Sequence, residues 1–174
     1  MGWKAVIAVV HGVTIDDLSA LRWTPTPGRH AWDESTEGLE GGVDAWQRDD
    51  VLVLAGGVDI VDRIDDLGAL GPTYAGLFMS TTDSYAWEVA APSGRRSWQW
   101  SEGTESTSEG TPHPAEAGIE RLDEDTLFEL LGAAGFVYDE RLESAGLVVL
   151  DLGQDAADEA APAPARRRRR FGLF

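Results

Sequence analysis

Four aspartates in the middle of the chain have a spacing that could hold a hard metal cation. They recur at helical intervals, and carboxylate oxygens are the ligands that calcium and magnesium prefer. They are Asp59, Asp62, Asp65 and Asp66. The apolar side chains between residues 60 and 70 fall on the opposite helical face, which is typical of an amphipathic helix with a solvated side. The pattern therefore favours a solvated face, and we expect no metal and no other cofactor.

Other reactive residues give little support for catalysis. The chain contains no Cys, which excludes disulfides, thiolate metal sites and cysteine nucleophiles. His11, His30 and His113 are scattered without the ligand spacing of a zinc site. The serines at positions 84, 97 and 101 lack the glycine-flanked strand-to-helix turn of a hydrolase nucleophile. Gly56-Gly57 follows a predicted strand, but neither phosphate-binding glycine pattern is present. We therefore predict that the protein is not an enzyme.

The last nine residues combine five cations with three large apolar side chains. Such a segment is expected to be covered only when something binds it. The predicted partner-binding residues are Arg166, Arg167, Arg168, Arg169, Arg170, Phe171, Gly172, Leu173 and Phe174.

The end of this tail resembles the bacterial sliding-clamp-binding peptide, usually written Gln-Leu-x-Leu-Phe. Gly172, Leu173 and Phe174 take its last three places, while Arg170 replaces the usual Gln and Phe171 the usual Leu. The resemblance implies a protein partner, with the sliding clamp the first to test. Two other interpretations are a membrane-touching anchor and a tail that folds back on its own acidic domain.

The charge of the chain is concentrated outside the tail. The net charge is −17, and residues 1–165 carry nine basic against 31 acidic side chains, or −22. A field of this sign repels nucleic acid and anionic membranes and favours basic partners. We therefore expect no strong direct binding to nucleic acid. An acidic DNA mimic that occupies a basic nucleic-acid-binding protein is the alternative function.

Composition and short apolar runs bear on lineage and location. The apolar run at residues 5–10 is too short for a signal peptide or a membrane span, so we expect a cytoplasmic protein. Residues 98–103 and 108–116 resemble a strand and acidic loop of uncharacterised actinobacterial proteins. The 13 Arg beside one Lys are similar to actinobacterial or actinophage composition. These resemblances imply lineage and no activity.

Hydrophobic patterning predicts strands and helices in alternation. Strands are predicted over residues 4–10, 51–55, 74–80, 84–91, 96–101 and 146–152, and helices over about 60–70 and 123–135. A long loop with one short helix is predicted over 24–50, and a second loop over 102–118. In the predicted hairpin, Tyr85, Trp87 and Val89 share a face with Trp98 and Trp100. A turn centred on residues 93 and 94 would pair Trp87 with Trp100 in the core, although a stacking platform is the functional alternative.

These elements predict the organisation of the whole chain. We expect an α+β single domain at residues 1–152, with a mixed β-sheet, helices on at least one face and a Trp-rich β-hairpin. Residues 153–165 are predicted to be a flexible Ala/Asp/Glu/Pro linker, and residues 166–174 a disordered basic and aromatic tail. The predicted function is a non-enzymatic interaction module, tethered to a protein partner through that tail.

Overall fold

Nine strands form one sheet in the computed structural model, which describes residues 4–38 and 42–153. The strands are β1 (Lys4–His11), β2 (Thr24–His30), β3 (Val43–Arg48), β4 (Val51–Gly56), β5 (Thr73–Met79), β6 (Ser84–Ala91), β7 (Gly94–Ser101), β8 (Thr104–Gly110) and β9 (Leu147–Asp151). Their spatial order is β2-β9-β3-β4-β1-β5-β6-β7-β8. The helices are α1 (Trp32–Ser35), α2 (Asp59–Asp62), α3 (Ile64–Leu70), α4 (Glu124–Ala133) and α5 (Glu140–Ala145), with 3-10 turns at Asp16–Leu21, Ser80–Thr82 and Pro114–Glu116.

β1 forms the centre of the sheet because its apolar run is buried on both faces. Every residue at positions 5–10 is fully buried, as expected of a strand covered on two sides. β4 and β5 both pair with β1 in antiparallel register, and α2 and α3 cross over β1 to connect them. β4 and β5 are thus parallel without being neighbours. The predicted mixed sheet is wrong in this respect, since each neighbouring pair of described strands is antiparallel.

The two edge strands lie where the sequence predicts loops. β2 contains Pro25 and Pro27, which lack the backbone N–H that a central strand needs but are tolerated at an edge. β8 is largely polar and exposed, as an edge strand that faces water can be. β3, a buried strand inside the predicted loop at residues 24–50, was missed as well. Predictions of long loops at 24–50 and 102–118 are therefore wrong.

The Trp-rich hairpin forms as predicted, but its register differs by two residues. The turn is centred on Pro92 and Ser93, so that Trp87 pairs with Trp98 and Tyr85 with Trp100. Because a shift of two residues preserves the side-chain face, all the predicted aromatic residues still share one face. Trp87 and Trp98 are buried, whereas Trp100 is only partly buried. The predicted Trp87–Trp100 pair is corrected accordingly.

Helices cover both faces of the sheet. The first face is covered by α2, α3 and the turn at Asp16–Leu21, and its buried cluster includes Leu18, Leu54, Ile60 and Leu67. The second face is covered by α1, α4 and α5, and its cluster is rich in aromatic rings. The α+β single domain with helices on at least one face is therefore confirmed.

No helix among the described residues is both long and apolar enough to cross a membrane. The predicted linker from residue 154 onward and the tail at residues 166–174 lie outside the described residues.

Candidate functional site

Four aromatic side chains enclose a cleft beside the second face of the sheet. The cleft has a volume of about 440 Å³ and is lined by Trp32, Phe128, Phe136 and Tyr138. The Trp32 ring lies 5.6 Å from those of Phe136 and Tyr138, and Phe128 lies 6.4 Å from Phe136. Sites for small ligands fall in this range, about 300–1,000 Å³. The cleft, named the aromatic cleft below, is the strongest candidate site of the described domain.

Local backbone signals bring these rings together. α1 begins at Trp32, where the Glu34 carboxylate accepts a hydrogen bond from the Ala31 amide at 2.8 Å. The Asp123 cap, which accepts from the Thr126 amide at 3.0 Å, starts α4 and places Phe128 in its second turn. After α4, Gly135 adopts a φ of +98°, a left-handed conformation that glycine accommodates without strain. The chain therefore reverses, and Phe136 is directed back toward Trp32.

A carboxylate lies at the outer edge of the aromatic cleft. The Tyr138 hydroxyl donates a 2.6 Å hydrogen bond to Glu143. This bond raises the pKa of the Tyr138 phenol above its ordinary value, and burial and the negative charges of Glu143 and Asp33 act in the same direction. Tyr138 is 53% exposed. The cleft thus presents apolar ring faces beside negative charge, an arrangement that suits an apolar group adjoining a cation.

A larger cleft of about 790 Å³ lies where the chain leaves β9. Its lining mixes arginines with aspartates, including Arg22, Arg63, Asp59, Asp62 and Asp151. Opposite charges on the same walls largely neutralise one another, so this cleft has weaker complementarity for a single class of ligand.

Two of the four aspartates of the predicted solvated helix face pair with arginines. Asp65 accepts a hydrogen bond from Arg95 at 2.9 Å, and Asp66 accepts one from Arg63 at 2.6 Å. Within residues 4–38 and 42–153, no group of three or more His, Asp or Glu side chains is placed to hold a metal ion. The predicted helix is divided into α2 and α3, and all four carboxylates are exposed on them, as the apolar spacing predicts.

One histidine takes part in a constellation that the sequence did not reveal. His30 Nδ1 lies 2.8 Å from Asp44 Oδ2, and the Ser35 hydroxyl donates to the same oxygen at 2.6 Å. In a hydrolase triad the serine donates to the histidine, whereas here both groups converge on the aspartate. Ser35 therefore lacks a base, and the cluster satisfies the buried Asp44 carboxylate beneath α1.

The other two histidines flank one tyrosine. The ring centroids of His11 and His113 lie 5.8 and 5.4 Å from that of Tyr74. His11 Nε2 donates to the Ala134 carbonyl at 2.7 Å, and His113 Nδ1 accepts from the Ala115 amide at 3.2 Å. The His11 bond ties the end of α4 to β1, and the His113 bond caps the turn at Pro114–Glu116, so both have a structural role.

The serines and glycines considered for catalysis have structural roles. Ser84 and Ser101 share a cross-strand hydrogen bond of 3.1 Å, and Ser97 donates to the buried Glu88 at 2.7 Å. Gly56 has a φ of +149°, and a Cβ there would collide with the Gly42 carbonyl. Position 56 therefore requires glycine because the backbone of Gly42 passes close to it. This agrees with the structural interpretation of the Gly56-Gly57 turn in the sequence.

Sequence reasoning missed all four residues of the aromatic cleft. Trp32 falls in a predicted loop, and Phe128 lies beside the leucine stripe of α4. Phe136 and Tyr138 follow the predicted end of that helix. Phe136 and Tyr138 are two residues apart after Gly135, and this alternation was the one sequence signal that could have placed both rings on one side of the chain. The predicted partner-binding residues at positions 166–174 lie outside the described residues.

Comparison with protein-family models, with curated protein sequences and with solved structures finds no match to this chain. Its function is therefore argued from its own geometry and charge.

Proposed function

We propose that this chain is a non-enzymatic protein-interaction module whose aromatic cleft binds a peptide segment carrying a large apolar side chain beside an arginine or lysine. The observation that carries the proposal is the ring-lined cleft, in which the Tyr138 hydroxyl donates to Glu143 and Trp32 is followed in the chain by Asp33. Burial of one Phe or Leu side chain contributes about 1.5–3 kcal/mol. A cation at an exposed ring face adds about 0.5–1 kcal/mol. Binding through two such side chains is weak and reversible, as in transient recognition.

A random peptide library displayed on phage tests this binding mode on the immobilised full chain. We expect enrichment of peptides that place a large apolar residue next to Arg or Lys. Tyr138→Ala should abolish the enrichment, whereas Val137→Ala should preserve it. Val137 is a matched control because it is similarly exposed, at 45%, and does not line the cleft. Enrichment of acidic peptides, or equal enrichment by both variants, would overturn the proposal.

The tail is the second binding element of the proposed module. Residues 166–174 would tether the domain to a protein partner in the cytoplasm, and the sliding clamp is the first partner to test. Burial of Leu173 and Phe174 in neighbouring pockets would give micromolar affinity, about −8 kcal/mol, after the cost of ordering the segment. The arginines would accelerate encounter with an acidic surface more than they would add to affinity.

Titration of a peptide spanning residues 165–174 against the clamp tests the tethering. We expect micromolar binding that is lost when Leu173→Ala and Phe174→Ala are combined. Binding that survives the double change would contradict the proposal. Salt-sensitive capture of a basic nucleic-acid-binding protein by a full chain with these two changes would instead support the acidic DNA mimic.

A further inference from the structure

We propose that the aromatic cleft is the docking site of the chain's own residues 166–174, so that the domain covers the peptide that otherwise reaches a partner. This inference rests on the proposed function of the cleft. It identifies the bound peptide and adds a form of regulation, because docking of the tail and binding of a partner become mutually exclusive.

The chemistry of the tail matches that of the cleft. The cleft offers ring faces and almost no polar lining apart from the Tyr138 hydroxyl. The tail provides Phe171, Leu173 and Phe174 as apolar groups, and aromatic pairs favour the offset and tilted contacts that such a cleft allows. Gly172 lets the backbone turn so that neighbouring side chains enter one site.

The charges of the two parts are also complementary. Five consecutive arginines precede Phe171, whereas residues 1–165 carry a net charge of −22. Glu143 accepts the hydrogen bond of the Tyr138 hydroxyl and Asp33 follows the cleft residue Trp32 in the chain, and both carboxylates are exposed. Guanidinium groups adjoining a docked phenyl ring would lie close to these carboxylates.

The length of chain between the domain and Phe171 is sufficient for docking. β9 ends at Asp151, and its other end, Leu147, pairs with His30 just before Trp32. The tail must therefore pass about 13 Å along the strand and about 10 Å from one layer to the next. The 17 residues at positions 154–170 can span up to about 56–61 Å. As a coil they would span about 21–25 Å on average.

Tethering makes even a weak contact significant. A segment joined to its site by a short linker acts at an effective concentration in the millimolar range. At an effective concentration of about 1 mM, a tail that binds the cleft in trans with a dissociation constant of about 0.1 mM would be docked about nine-tenths of the time. If about nine-tenths of the tails are docked, the apparent affinity of a partner for the tail falls about tenfold.

A spin label in the tail of the full chain tests the contact. Because the chain contains no Cys, Ala165→Cys can be labelled at a single position, and the amide signals of Val137, Tyr138 and Glu129 can be followed by NMR. We expect strong paramagnetic broadening of these signals. The broadening should disappear when Phe171→Ala, Leu173→Ala and Phe174→Ala are combined, a change that leaves the folded domain untouched.

Two comparisons make the test decisive. Tyr138→Ala should release the label, whereas Val137→Ala should not, and both variants can be checked for an intact fold from the rest of the spectrum. Labelled chains without isotope, mixed with unlabelled isotopic chains, should give no broadening if docking is intramolecular. Absence of broadening, broadening only in the mixed sample, or broadening that persists after the triple tail change would overturn the inference. Peptide enrichment on the cleft without tail docking would leave the proposed function standing.

Discussion

The two faces of the sheet are packed with different side chains, and the clefts beside them have different linings. The cluster under α2 and α3 is aliphatic apart from Trp23. The cluster under α4 and α5 buries six aromatic side chains, namely Trp32, Phe78, Tyr85, Trp87, Trp98 and Phe136. Branched aliphatic groups interdigitate at close range, whereas flat rings meet at centroid distances of about 4.5–7 Å. Rings at the margin of the second face therefore enclose an apolar cleft, whereas the cleft beside the first face is also lined by arginines and aspartates.

The two faces also differ in how closely their side chains are packed and how exposed they are. On the first face, a Cβ added to Gly68 would lie 2.6 Å from that of Ala90, so α3 approaches β6 without room to spare. On the second face, Tyr138 is more than half exposed although it lines the aromatic cleft. The first face is closely packed where α3 meets β6, and the second combines a buried centre with an accessible aromatic margin.

The largest expected effect concerns the centre of the aromatic face. Trp87 is fully buried between Tyr74 and Trp98, so Trp87→Ala should lower the free energy of unfolding by about 3–5 kcal/mol. Trp100→Ala should cost clearly less, because Trp100 is only partly buried. Urea denaturation of both variants measures the difference. Equal losses would show that the margin of this face is packed as tightly as its centre.

The second effect concerns a buried ion pair on the same face. Arg96 lies over the Trp98 ring and donates from Nη2 to Glu116 at 2.8 Å, and both side chains are 5% exposed. Arg96→Ala leaves a buried carboxylate without its partner and should cost about 3 kcal/mol. A double-mutant cycle with Glu116→Ala checks it, since the two losses should be far from additive. Additive losses would mean that the two residues act independently.

The third effect compares one small substitution on the two faces. Gly68→Ala should destabilise the protein by about 1 kcal/mol, because overpacking outweighs the gain in helix propensity. Gly132→Ala on α4 meets nothing within 4 Å and should stabilise by about 0.4–1 kcal/mol. Thermal unfolding of the two variants checks the opposite signs. A stabilising Gly68→Ala change would contradict the close approach of α3 to β6.

The smallest expected effect concerns the pKa of the Tyr138 hydroxyl at the aromatic cleft. Because the pKa of Tyr138 is raised, its contribution to stability is complete below the unfolded-state pKa of about 10 and is lost as the pH rises through the folded-state pKa. NMR titration of the tyrosine rings should show Tyr138 ionising late, and Glu143→Gln should move its midpoint downward. Tyr85, whose pKa is raised mainly by burial, should not respond. If Glu143→Gln leaves the titration midpoint of Tyr138 unchanged, the Glu143 carboxylate does not act on the Tyr138 hydroxyl.

Elements of this fold could be predicted from the sequence only where burial gives the chain a hydrophobic period. Strands with apolar faces, such as β1, β4 and β6, and the capped helix α4 were predicted correctly because burial imposes a period on their sequence. The edge strands β2 and β8 were missed because their side chains face water and need no such period. The hairpin register was wrong by two residues, since a shift of that size places the same side chains on the same face.

The sequence by itself determined the acidic charge, the absence of thiol chemistry and the segments that are buried in the sheet. Each of these follows from composition or from local spacing. Only the tertiary structure decided that β1 separates β4 from β5, that His30 meets Asp44, and that Trp32, Phe128, Phe136 and Tyr138 form one cleft. These contacts join residues up to about a hundred positions apart. No local pattern encodes them, because they arise when helices from distant segments pack on a common sheet.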